Sequence, residues 1–132
     1  MKIIINFFTM LVLFLASTGI ARSQWQEQTS GITTSLNSVS GVNDNIAWVC
    51  GNAGRVIRTN NGGINWINAT GTGIPGTLDL YNIFAIDSTT ALVTGSNTTA
   101  FVYRSTNGGL TWVQVFTQSG GFLNAIWMTT PM

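Results

Sequence analysis

One turn motif occurs twice in this chain, and that repetition restricts the fold more than any other feature. Thr59-Asn60-Asn61-Gly62-Gly63-Ile64-Asn65-Trp66 returns as Ser105-Thr106-Asn107-Gly108-Gly109-Leu110-Thr111-Trp112, with the two tryptophans 46 residues apart. A fixed period of about 20–50 residues marks stacked modules, none of which buries its apolar face alone. The motif also has a local mechanical logic. Asn side chains accept hydrogen bonds from turn amides and tolerate left-handed backbone. The glycines supply positive φ without strain. The leading hydroxyl closes the turn through a backbone contact, and the Trp brings a large apolar face to pack beneath the hairpin.

Aligning the two motifs brings their surroundings into register. The first unit runs Leu36-Asn37-Ser38-Val39, Ile46 to Cys50, Arg55 to Thr59, then Trp66-Ile67-Asn68. The second runs Leu80 to Ile86, Ala91 to Thr94, Ala100 to Arg104, then Trp112 to Phe116. Each unit is four short runs rich in β-branched and aromatic residues, separated by Gly, Asn, Asp and Ser clusters. That is strand and hairpin chemistry, and no stretch after residue 23 has helical periodicity. Four strands repeating every 40–50 residues predict an all-β fold of β-propeller blades.

The expected organisation is an N-terminal strand at 24–32, one blade at 36–70, a second at 78–117 and the start of a third at 122–132. Trp25-Gln26-Glu27-Gln28 aligns with the last strand of each unit, and Phe122 to Trp127 echoes the first. Propellers close with about 4–8 blades, so two blades predict an N-terminal fragment of a longer protein. Missing blades or self-association would cover the open faces.

Met1 to Ser23 reads as a secretory signal peptide: Lys2, an apolar run from Ile3 to Ala16, a break at Thr18-Gly19, and Ala21-Arg22-Ser23 before a mature start at Gln24. An uncleaved anchor would need about 20 apolar residues. Cleavage leaves Arg55, Arg58 and Arg104 against Glu27, Asp44, Asp79 and Asp87, a net charge of −1 with no lysine or histidine. So charge-poor a surface argues against nucleic acid and against docking on anionic lipid. No stable membrane insertion is expected after cleavage. The expected location is secreted or periplasmic, at a bacterial cell envelope.

The two turns resemble the Asp-box, or BNR repeat, Ser/Thr-x-Asp-x-Gly-x-Thr-Trp/Phe. Ser105, Gly109, Thr111 and Trp112 match it, as do Thr59, Gly63 and Trp66. Asn61 and Asn107 replace the acidic residue, which removes a carboxylate, and Asn65 replaces Thr in the first copy. The wider text, with Leu36 to Val39, Ala47-Trp48-Val49-Cys50-Gly51 and Gly54 to Gly63, resembles blades of the Ycf48-like propellers, the photosystem II assembly factor family and its bacterial relatives. That resemblance implies a docking scaffold for protein partners. It also implies that Arg55, Arg58 and Arg104, near the third strand, are candidate partner-binding residues. Their alternative reading is solvated strand-end charge.

Asp-boxes also occur in sialidases, which makes a secreted glycoside hydrolase the alternative function. Sialidases use three arginines, a Tyr–Glu pair and an Asp. Here Tyr81 and Tyr103 are the tyrosines, Glu27 is the only glutamate, and Asp44 and Asp87 read as equivalent turn residues. Asp79 lies in the loop before the second unit. Two suitably placed carboxylates are needed for glycosidase chemistry, and the pattern does not supply them, so no catalytic residue is assigned. Lone Cys50 reads as a buried hydrophobe, without a histidine to activate it. With no histidine and no paired cysteines, no metal site or cofactor is expected. Gly51-Asn52-Ala53-Gly54 links two strands and is not a phosphate loop. Trp25, Trp66 and Trp112 fall at equivalent positions, which favours core packing over a sugar-stacking platform. Asn68-Ala69-Thr70 and Asn97-Thr98-Thr99 are sequons, idle in a bacterium. The expected protein is a non-enzymatic propeller module whose partner is a protein or an extracellular glycan.

Overall fold

The computed structural model describes residues 26–129. The signal-peptide reading and Trp25 lie outside the described residues. The strands are β1 (Leu36–Gly41), β2 (Ala47–Gly51), β3 (Val56–Thr59), β4 (Ile67–Asn68), β5 (Asp79–Ala85), β6 (Ala91–Ser96), β7 (Thr99–Ser105) and β8 (Val113–Ser119). They form two four-stranded sheets in the orders β1-β2-β3-β4 and β5-β6-β7-β8, with every neighbouring pair antiparallel. Among the described residues no helix is long and apolar enough to cross a membrane.

The sheets repeat in detail. β1 and β5 each carry a register shift at the same place, after Leu36 and after Leu80, and those leucines pair with Gly51 and Gly95. A Cβ on Gly51 would collide with the Ser35 carbonyl, so the first strand can lie this close only against glycine. The β1–β2 turn is closed by Val42 N–H to Ile46 O (2.8 Å), and the β5–β6 turn by Ile86 N–H to Thr90 O (2.9 Å). Asn43 Oδ1 accepts the amides of Asn45 and Ile46, as Asp87 Oδ1 accepts those of Thr89 and Thr90. Asn43, not Asp44, is therefore the counterpart of Asp87. These amides, Thr89 first, hold the Asp87 carboxyl below its ordinary range.

Alternation along the strands decides the core. Trp48 and Cys50 on β2 share a face with Arg58 and Val56, their partners on β3. That face meets the second sheet, where Leu80, Ile83, Ala85, Ala91, Val93, Tyr103 and Trp112 complete one buried cluster with Ala69 and Leu78. Trp48 and Trp112 meet edge to face, centroids 6.2 Å apart at 86°. Each indole N–H also crosses the seam: Trp48 Nε1 donates to Asp87 O (3.0 Å) and Trp112 Nε1 to Ala69 O (2.9 Å).

The first strands are laced together as well. Ser38 Oγ accepts Ile83 N–H (3.3 Å), Ser40 Oγ accepts Ala85 N–H (3.0 Å), and Asn37 Nδ2 donates to Leu80 O (2.8 Å). The strands expected within 24–32 and 122–132 are not formed in residues 26–32 or 122–129. A strand needs a neighbour paired to it by a backbone ladder, and among the described residues neither segment has one. Residues 121–129 lie instead against β5, with Phe122 beside Tyr81 (5.0 Å) and Trp127 beside Phe84 (5.8 Å).

Trp112 is 3% exposed, so Trp112→Ala should destabilise the fold by about 3–5 kcal/mol. Trp112→Phe keeps most of the packing but strands the Ala69 carbonyl, for a loss of about 1–3 kcal/mol. Denaturant melts of the two variants check both values. An unchanged midpoint for Trp112→Ala would refute the role of this seam.

Candidate functional site

The two β3–β4 and β7–β8 turns are built by the same network. Thr59 Oγ1 accepts Gly63 N–H (2.9 Å) and donates to Asn61 Oδ1 (3.0 Å), which in turn accepts Asn65 N–H (2.9 Å). Ser105 Oγ accepts Gly109 N–H (3.0 Å) and donates to Asn107 Oδ1 (3.1 Å), which accepts Thr111 N–H (3.0 Å). The asparagine oxygen performs this without a carboxylate. Asn107 also donates through Nδ2 to Thr111 Oγ1 (2.8 Å), a bond that Asn65 at the matching position of the first turn replaces with no hydroxyl. Gly62 and Gly63 have φ of 67° and 85°, Gly108 and Gly109 of 73° and 83°. Gly62 N–H is tied to Asn45 O (3.0 Å), and Gly108 N–H to Thr89 O (2.8 Å). Each turn is thereby fastened to the first hairpin of its own sheet.

The three arginines do not share one site. Arg58 lies over the Trp48 ring at 5.6 Å and donates from a terminal guanidinium nitrogen to Ser88 O (3.0 Å), bridging the sheets. Arg104 holds the matching register position in the second sheet, opposite Leu92, and is exposed. Arg55 precedes β3 at the other end of that strand and is half-buried. Beside it lies the β2–β3 loop, where Ala53 has a left-handed φ of 58°. Its amide donates to Asp79 Oδ1 (3.0 Å), and Gly54 N–H donates to Leu78 O (2.6 Å). No local sequence signal marks this loop anchor, because Asp79 is 26 residues away from Ala53.

The remaining chemistry-bearing side chains are dispersed. Asp79 and Asp87 serve as turn acceptors. Tyr103 is buried, which pushes its phenol up, and it reaches Gln114 Oε1 at 3.4 Å. Tyr81 packs on Phe122. Among the described residues no three His, Cys, Asp or Glu side chains converge on a metal-sized point. Cys50 is fully buried, and desolvation raises its thiol from near 9 to about 12.

Sheets of four antiparallel strands stacked face to face, each with the same turn, are successive β-propeller blades. Two solved propellers share this fold. One is YCF48 bound to a D1 peptide: TM-score 0.59, 16% identity, 74% of this chain and 31% of that one. The other is YCF48 from Cyanidioschyzon merolae: TM-score 0.52, 23% identity, 71% of this chain and 30% of that one. The chain thus spans less than a third of the length of either. No family model matches the sequence, and no curated protein does.

A Cβ at Gly109 would collide with the Ala69 backbone, whereas at Gly63 it meets only the Gln28 side chain. Both positions carry the same positive-φ strain. Gly109→Ala should therefore lower the melting temperature more than Gly63→Ala, by at least about 1 kcal/mol in stability. Equal effects would argue against the tight seat of the second turn.

Cys50 should resist thiol-specific disulfide reagents in the folded chain and react on unfolding. A thiol pKa raised by folding keeps the native state protonated where the unfolded state has ionised. The thiol's contribution to stability is thus complete below about pH 9 and is lost as pH rises toward about 12. Chemical denaturation across that range checks the slope, which should be shallower in Cys50→Ala, where the buried Tyr103 phenol still contributes in the same direction.

Proposed function

We propose that this chain is the N-terminal part of an exported β-propeller. It acts as a non-enzymatic protein-interaction scaffold at a bacterial cell envelope. The observation that carries the scaffold reading is the fold likeness to a propeller solved with a bound peptide. The use of Asp79 and Asp87 as turn acceptors supports it, since those carboxylates are engaged in holding loops. Peptide or protein contact fits the β2–β3 loop end, where Ala53, Arg55 and the Ile74-Pro75 bend meet; Pro75 O lies against Gly54. Arg58 is committed to the seam between the blades, which leaves Arg55 and Arg104 as contact candidates.

The signal sequence predicts export. N-terminal sequencing of the mature protein should begin at Gln24, and retention of Met1 would refute cleavage. In cells, crosslinking of the exported protein should capture a defined protein partner. Arg55→Ala should reduce that capture about tenfold, the effect of losing a contact of about 1.4 kcal/mol. Turnover of fluorogenic sialosides by the same preparation, with no partner captured, would favour the glycoside hydrolase reading instead.

A further inference from the structure

The sequence holds two Asn-Gly pairs, Asn61-Gly62 and Asn107-Gly108, and both lie in the repeated turns. Asn-Gly is the pair most prone to deamidation, because glycine has no side chain to keep its amide nitrogen from the neighbouring carboxamide. The step is redox-neutral and needs only water. The glycine nitrogen loses its proton and bonds to the asparagine Cγ, closing a succinimide ring. The bond from Cγ to Nδ2 breaks, and ammonia leaves with that proton. Water then opens the ring at either carbonyl, giving Asp or isoAsp.

Both turns favour one half of this step and withhold the other. Asn61 Oδ1 accepts from the Thr59 hydroxyl (3.0 Å) and the Asn65 amide (2.9 Å), and Asn107 Oδ1 from the Ser105 hydroxyl (3.1 Å) and the Thr111 amide (3.0 Å). Donors on that oxygen draw charge from Cγ and stabilise the oxyanion formed on attack. The nucleophile is held back. Gly62 N–H is bound to Asn45 O and Gly108 N–H to Thr89 O, and neither nitrogen attacks while its proton is so held. Reaction therefore waits on local opening of the turn.

The two turns differ in what resists that opening. In the second, Gly108 is buried, and a Cβ on it would come within 3.1 Å of an Arg58 guanidinium nitrogen. Ala69 sits on Gly109, and Thr72 donates to Leu110 O (3.1 Å) and accepts Trp112 N–H (2.8 Å). Asn107 is itself exposed, but its carboxamide is tied at both ends, since Nδ2 donates to Thr111 Oγ1 (2.8 Å). In the first turn Gly62 is exposed, and Asn61 Nδ2 has no partner among the described residues. Its cover is one side chain, Gln28, whose Nε2 donates to Gly62 O (3.0 Å) from a segment outside both sheets. We propose that Asn61 is a site of spontaneous deamidation and that Asn107, in the same motif, is protected by the blade packed on it. The Asp product keeps an oxygen on Thr59 and Asn65, preserves the turn and adds one negative charge to a chain with four acidic residues. The isoAsp product inserts a methylene into the backbone and disrupts the turn.

To test this, the purified protein is incubated at mildly alkaline pH in water enriched in heavy oxygen, and labelled Asp and isoAsp are mapped by peptide mass spectrometry. In the folded chain Asn61 should take up label about tenfold faster than Asn107. In urea the two should react at the same rate, because both are Asn-Gly-Gly. Hydroxylamine, which cleaves the succinimide, should cut the folded chain after Asn61 and spare Asn107. Asn61→Asp should melt close to the parent temperature and lose the fast labelling. Equal labelling of both sites in the folded chain, or none at Asn61, would overturn the proposal. A rate difference that persists in urea would also overturn it, since the protection would then be local and not supplied by the neighbouring blade.

Discussion

The structure depends on one seam, where two tryptophans meet edge to face and each lends its indole N–H to the other sheet's side. Trp48 caps the Asp87 carbonyl and Trp112 caps the Ala69 carbonyl. Aromatic contacts of this geometry add about 0.5–1.5 kcal/mol beyond area burial. Their larger effect is on register: a bulky ring tied at its polar end has one place to sit. Arg58 closes the seam from above the Trp48 ring while reaching Ser88. The first strands repeat the lacing with hydroxyls, through Ser38 and Ser40. A chain with few charges and no internal disulfide thus aligns two sheets by directional hydrogen bonds set in an apolar core.

The repeated turns serve that seam. Two consecutive left-handed glycines let the backbone fold under a hydroxyl and an asparagine oxygen, and Trp112, just before β8, is aimed across the interface. The linker after β4 then returns over the second turn: Thr72 exchanges backbone bonds with Leu110 and Trp112. The turn is therefore both a local latch and the floor on which the preceding blade's outer strand rests. This double use explains why the glycine nearest Ala69 has no room for a side chain, while its loop neighbour does not touch Ala69.

The scaffold role proposed above draws on what the side chains are occupied with. Carboxylates that hold loop amides keep loops in place; they are not arranged around a common point. The left-handed Ala53 is held from two sides, by Asp79 and by the Leu78 carbonyl beyond Gly54. Non-glycine residues in this region persist when the surroundings over-determine them, and such positions gather at recognition loops. A rigid loop end beside Arg55 is suited to presenting a fixed contact surface.

Period, strand content and turn chemistry were legible in the sequence because they depend on neighbours a few residues apart. The run Ile46 to Cys50 reads as a strand from its own residues, and Asn-Gly-Gly reads as a turn from its own φ requirements. The equivalence of Asp44 and Asp87 misled, because a one-residue offset in an Asn-rich turn leaves composition unchanged; only the hydrogen bonds single out Asn43. Arg58 and Arg104 look alike in sequence, yet one is spent between blades and the other is exposed. What the sequence by itself determined was the repeated four-stranded unit, through local backbone preference and alternation. What only the tertiary structure decided was which side chain crosses to which blade. That choice depends on atoms 30 to 45 residues apart, brought together when the apolar faces stack.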